Sequence, residues 1–184
     1  MQGIENDKFD LMALTKSDYD RKDTMHDWSH IRRCYIAALN VVESNPTEYD
    51  AIALVGGLIL HGVIYEDGME DRVYKYLASK GASDDLAKKM IHVAWDSQKE
   101  SRPETIEGGI LHDAHLLEGD KNFLITKILV TGTARGQKLD QTVNYFFKNV
   151  RNLNPLFYFQ ASSEEYRLRL ERAIGYFTEL QESI

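Results

Sequence analysis

Residues 51–62 read AIALVGGLILHG. Only His61 in this stretch carries a polar side chain, so a helix built from it has no face for water and belongs at the centre of a fold. Gly56 and Gly57 each weaken helix propensity by roughly 1 kcal/mol. Close approach of a neighbouring helix is the expected reason for keeping them. Upstream, Ile31, Cys34, Ala38, Val41 and Val42 form an apolar stripe that predicts a helix over 28–44. Asn45-Pro46 ends it, and Thr47 is the expected cap of the central helix.

Downstream, the pattern predicts a helix over 70–80 stopped at Gly81, then DDLAKKMIHVAWDSQK capped by Ser83, with acids first and lysines later. After Pro103, ETIEGGILHDAHLLEG predicts a helix ending near Gly119. KNFLITKILVTGTARG is rich in β-branched residues, but every neighbour is helical and a helix is expected. LDQTVNYFFKNV and SSEEYRLRLERAIGYFTELQESI close the chain as two more. These signals predict an all-α fold of seven or eight helices, a single compact multi-helix bundle over 1–184.

The 184 residues suffice for one sizeable core, and the net charge of −7 argues against a nucleic-acid polymer as partner. No apolar run is long enough to span a bilayer, and MQGIENDKFDLM lacks a signal-peptide core. The lone Cys34 rules out an internal disulfide and a Cys-rich zinc site, and reads as buried and inert. A cytoplasmic setting follows as the expectation.

The chemistry-bearing residues are unevenly spread. All six histidines, His26, His30, His61, His92, His112 and His115, lie in the first two thirds of the chain, with Asp113 among the last two. Imidazole and carboxylate are the standard ligands of borderline divalent ions. His26 and His30 are four apart and share a helix face. Asp113 sits in an apolar segment, where a carboxylate is costly unless it is paired, with Arg32 or Arg33 for example, or bound to a cation. His112 and His115 flank it at spacings that point elsewhere on a helix, so at most one of them shares its site.

His26-Asp27-Trp28-Ser29-His30-Ile31-Arg32-Arg33 resembles the HD-x-x-H-x-x-R opening of the HD-superfamily (His-Asp domain) phosphohydrolases. Leu60-His61 stands where their buried helix carries the His-Asp dyad, and Ile110-Leu111-His112-Asp113-Ala114 resembles the segment that supplies their last metal ligand. The motifs cover 23–120, with the helices of 138–184 matching loosely. The resemblance implies an all-α domain holding a divalent ion (Mn, Mg, Fe, Co, Ni or Zn) through His30, His61 and Asp113. It implies hydrolysis of a small phosphorylated substrate, most naturally a nucleotide. His26 would orient a ligand or water, and His92 would contact phosphate or move a proton. Arg33, Lys99 and Arg102 are the candidate substrate contacts.

The pattern breaks at its centre. The residue after His61 is Gly62, where the family has its dyad aspartate, and His115 stands where relatives carry an acid. Glu66, Asp67 or Glu118 could supply a replacement carboxylate. Otherwise the site binds metal through three protein ligands and water, or the chain is a catalytically degenerate relative that binds a nucleotide or a protein partner. A plain helical interaction module is the third reading. The aromatic residues Tyr145, Phe146, Phe147, Phe157, Tyr158 and Phe159 either pack on the last helix or offer a surface for homo-oligomers.

Overall fold

A computed structural model describes Ile4 and residues 7–98 and 102–184. Its elements are α1 (Leu11–Tyr19), α2 (Trp28–Ser44), α3 (Ala51–Leu60), α4 (Met69–Ser79), α5 (Asp84–Asp96), α6 (Ile106–Leu116), α7 (Phe123–Ala134), α8 (Leu139–Tyr145) and α9 (Gln160–Glu182). No strand occurs among the described residues. A π-helical turn, Phe146–Val150, follows α8 and interrupts the helix expected through Val150. α1 was not anticipated from the pattern.

α3 is the central helix, with Ala53 through Leu60 all buried. It packs on α5 as well as on α1, α2 and α6. The glycine pair permits this: a Cβ at Gly56 would lie 2.6 Å from Met90 Sδ on α5. The α3 cap is Asp50, not Thr47; its carboxylate accepts from the Ile52 and Ala53 amides at 3.0 Å. Asp50 lies directly before the first turn, where a side-chain oxygen reaches those otherwise unpaired donors.

Buried carboxylates set the later helices. Asp96, at the end of α5, accepts from Glu104 N (2.8 Å), Thr105 N (2.9 Å) and Thr105 Oγ1 (2.7 Å). Thr105 in turn caps α6, accepting from Gly108 N at 3.0 Å. α6 is thereby fixed at both the α5 end and its own start, and it packs on α2, α3 and α5. A second apolar cluster joins α7, α8 and α9 through Ile128, Val143, Phe146, Ala173 and Phe177. Phe146 stacks on Phe177 with ring centres 4.4 Å apart, so this part of the aromatic run does pack on the last helix. No described helix is long and apolar enough to cross a membrane.

Candidate metal centre

Three helices deliver three imidazoles to one place. His30 lies in the first turn of α2, His61 directly follows α3, and His115 lies in the last turn of α6. Ring centres are 5.1 Å apart for His30–His61 and 5.2 Å apart for both His30–His115 and His61–His115. His30 and His61 are buried, and their Nε2 atoms are 3.1 Å apart.

Hydrogen bonds behind the rings decide what those nitrogens carry. His30 Nδ1–H donates to Glu118 Oε1 at 2.8 Å. His61 Nδ1–H donates to the Leu58 carbonyl at 2.6 Å. A carboxylate and a carbonyl can only accept, so each neutral ring has its proton on Nδ1 and its lone pair on Nε2. Two lone pairs therefore face each other at 3.1 Å, an arrangement that a shared cation or a shared proton relieves.

A proton is disfavoured. Burial lowers the pKa of His61 to about 3, and the neighbouring His30 pushes the same way. Burial also lowers the pKa of His30, against the opposing pull of Glu118. For Glu118 burial acts upward, but the hydrogen bond from His30 and the charge and hydrogen bond of Lys127 hold its carboxyl well below the ordinary range. Arg33 Nε (2.7 Å to Oε1) and Lys127 Nζ (2.7 Å to Oε2) secure the same carboxylate. Carboxylate–histidine pairs of this kind stand behind protein metal sites, where they fix the ring and its tautomer.

Cys34, one turn after His30 on α2, belongs to this group. Its sulfur lies 3.6 Å from His30 Nδ1 and 3.8 Å from Nε2, and the thiol is buried in the core as expected. His30, Cys34 and His61 offer donor atoms that are close enough together to hold one ion. The rings open on a cleft of about 410 Å³ that Lys22, His26, Gly62, Tyr65 and Gln98 also line. Lys22 Nζ donates to Tyr65 Oη at 2.9 Å across its rim, and Gln98 Nε2 donates to the His61 carbonyl at 3.0 Å.

The other sequence-selected residues fall in several places. Asp113 is not brought to the pair. Oδ1 accepts from Tyr158 N at 2.8 Å and Oδ2 from Phe159 N at 2.9 Å, so this carboxylate holds the chain entering α9. Two residues along a helix amount to a turn of about 200°, which is why Asp113 and His115 face opposite ways. His112 Nδ1 lies 3.2 Å from Asp113 Oδ1, on that other side. His26 lines the cleft with its Nδ1 2.8 Å from Asp23 Oδ1.

His92 is exposed in a separate groove between α4 and α5, with Glu70 and Trp95, away from the histidine triad. Glu66 lies 3.8 Å from Lys22 Nζ, and Asp67 is exposed; neither is grouped with the histidines. Glu118 stands behind His30 and not beside its Nε2. Arg33 is committed to Glu118, to Ser29 Oγ (2.5 Å) and to the Met25 carbonyl (2.9 Å). Arg102 lines a different cavity with Pro103, Leu156 and Phe157. Lys99 lies outside the described residues.

No protein-family model and no curated protein sequence matches the chain. Solved structures do. Bacillus subtilis YpgQ in complex with ADP is similar at 23% identity, with a TM-score of 0.71 over 94% of this chain and 97% of YpgQ. A second YpgQ structure gives 21% identity and a TM-score of 0.72, covering 96% of this chain and 95% of that one. At this identity the likeness establishes the architecture: the chain has the all-α fold of YpgQ over nearly its whole length.

Proposed function

We propose that this chain is a metal-dependent phosphohydrolase acting on a small phosphorylated molecule, with nucleotides the first class to test. The observation that carries the proposal is the pair of opposed His30 and His61 Nε2 atoms, 3.1 Å apart, with both tautomers fixed from behind. The chain folds throughout like a protein solved with ADP, which supports a nucleotide as ligand.

His30 and His61 would hold the ion, with His115 or Cys34 beside them. A divalent ion there supplies Lewis acidity to a phosphoryl oxygen. The chain's own groups do the rest. Glu118 orients His30, and Arg33 and Lys127 in turn hold Glu118. Lys22 places a positive charge on the cleft rim, where it attracts an anionic substrate. His26 is half-exposed on the same wall, within reach of a phosphate or a leaving oxygen. Tyr65, 53% exposed on that wall, offers a ring face to a base.

The test is phosphate or pyrophosphate release from a panel of nucleoside mono-, di- and triphosphates. The full chain is first freed of metal by chelation and then supplied with one divalent ion at a time. Ion-dependent turnover that is lost in His61→Ala supports the proposal. No turnover with any ion, although the folded protein binds ions, refutes it.

One observation favours a second reading, that of a degenerate nucleotide-binding relative: the dyad position is Gly62, and the Tyr19 phenol occupies the space a side chain there would need. Under that reading ADP raises the melting temperature without being hydrolysed.

A further inference from the structure

We infer that this chain dispenses with both aspartates of the ligand pattern it resembles, and that His115 joins His30 and His61 in a three-imidazole site. Such a site selects borderline ions such as Zn²⁺ and Co²⁺ over Mn²⁺ and Mg²⁺. The inference rests on the reading that the His30–His61 pair holds a cation.

The missing dyad carboxylate is not a simple deletion. A Cβ at Gly62 would come within 2.7 Å of Tyr19 Oη and 3.0 Å of Tyr19 Cε1. Tyr19 cannot readily step aside. It is fully buried, donates to the Ile59 carbonyl at 2.8 Å, and packs on Trp28 with ring centres 4.6 Å apart. The space for an acidic side chain is filled by a phenol that the central helix itself anchors. The second aspartate is spent as well, since both Asp113 oxygens accept backbone amides at the entrance to α9. The residue of α6 that does face the pair is His115.

The ring-centre spacing fits three imidazoles around one ion; the donor atoms already close enough to share it are those of His30, Cys34 and His61, and His115 joins them by turning a nitrogen toward the pair. Nitrogens about 2.0–2.1 Å from a common ion at tetrahedral angles stand about 3.3 Å apart, with ring centres about 5.2 Å apart. The observed values are 3.1 Å for the one nitrogen pair and 5.1, 5.2 and 5.2 Å for the rings. The charge balance points the same way. Glu118, the carboxylate that stands behind the site among the described residues, is already matched by Arg33 and Lys127. Hard ions depend on oxygen donors, whereas imidazole suits zinc, copper, iron and nickel.

The experiment uses the full chain freed of metal by chelation, with Zn²⁺, Co²⁺, Mn²⁺ and Mg²⁺ added separately and no substrate present. Melting temperature and titration calorimetry read binding, so failure here is distinguishable from failure to hydrolyse nucleotides. Zn²⁺ and Co²⁺ are expected to bind about 100-fold or more tighter than Mn²⁺ and to raise the melting temperature. His115→Ala should weaken Zn²⁺ by more than about 100-fold, beyond what loss of an outer-shell partner costs. His115→Asp should narrow the preference for Zn²⁺ over Mn²⁺. The Co²⁺ complex of the unmodified chain should show the strong visible bands of four-coordinate cobalt and no near-ultraviolet sulfur-to-cobalt band, a readout that needs no variant to fold. Equal binding of Mn²⁺ and Zn²⁺ would overturn the inference. So would Zn²⁺ affinity unchanged in folded His115→Ala, or a sulfur-to-cobalt band that assigns the third position to Cys34.

Discussion

Consider alanine at position 62, alone and with Tyr19→Phe. In Gly62→Ala the new methyl meets the Tyr19 hydroxyl at 2.7 Å and the ring carbons at 3.0–3.2 Å, where ordinary contact begins near 3.4 Å. Overpacking of this kind costs about 1–3 kcal/mol. The reduced freedom of the unfolded chain returns about 0.4–1 kcal/mol, leaving a net destabilisation of about 1–2 kcal/mol. Tyr19→Phe alone removes the hydrogen bond to the Ile59 carbonyl and costs about 1 kcal/mol. In the double variant the shortest clash is gone, so the two effects should fall short of their sum by about 1 kcal/mol. Urea denaturation of the four metal-free proteins measures this directly. Additivity within about 0.5 kcal/mol would mean that Tyr19 does not fill the space at position 62, and the account of the missing carboxylate would fail.

The remaining predictions concern pH, the α9 anchor and the support of His30. Because the folded pKa of His61 is lowered from 6.5 to about 3, the unfolded chain binds the proton more tightly, and stability is lost as pH falls from 6.5 towards 3. At pH 5 His61 should account for about 2 kcal/mol of that loss, so metal-free His61→Gln should lose about 2 kcal/mol less than wild type between pH 7 and pH 5. Asp113→Asn turns one acceptor into a donor against the Tyr158 or Phe159 amide and should cost about 1–3 kcal/mol, with faster hydrogen exchange at those amides. Zn²⁺ affinity should be unchanged in that variant by calorimetry. Glu118→Gln exchanges a charged acceptor for a neutral amide behind His30 and should weaken metal binding by about 10–100-fold in the same assay.

Periodicity made most of the fold legible. The 28–44 helix and the central apolar helix stand where the pattern placed them, as α2 and α3. KNFLITKILVTGTARG is helical despite its β-branched residues, because α7 packs on α8 and α9. α1 carries only a weak amphipathic signal, so Tyr19, which explains Gly62, stayed hidden with it.

The site was legible as a set of residue types but not as a set of directions. His30 and His61 were marked and do converge. Asp113 and His115 lie on one helix, two residues apart, and the residue types alone do not say which of the two faces α2. That was decided by α9, whose entrance needs the Asp113 carboxylate from 45 residues away. The Glu118 contact spans 88 residues and likewise leaves no local trace. Cys34 was within reach of sequence reasoning, since the i, i+4 spacing from His30 places both on one face of α2.

The most direct measurement is a crystal structure of the zinc-loaded chain with anomalous data collected at the zinc edge. The account predicts one strong peak about 2.0–2.1 Å from His30 Nε2 and His61 Nε2, with His115 completing the set. A peak elsewhere, or none between those two nitrogens at saturating zinc, would contradict it.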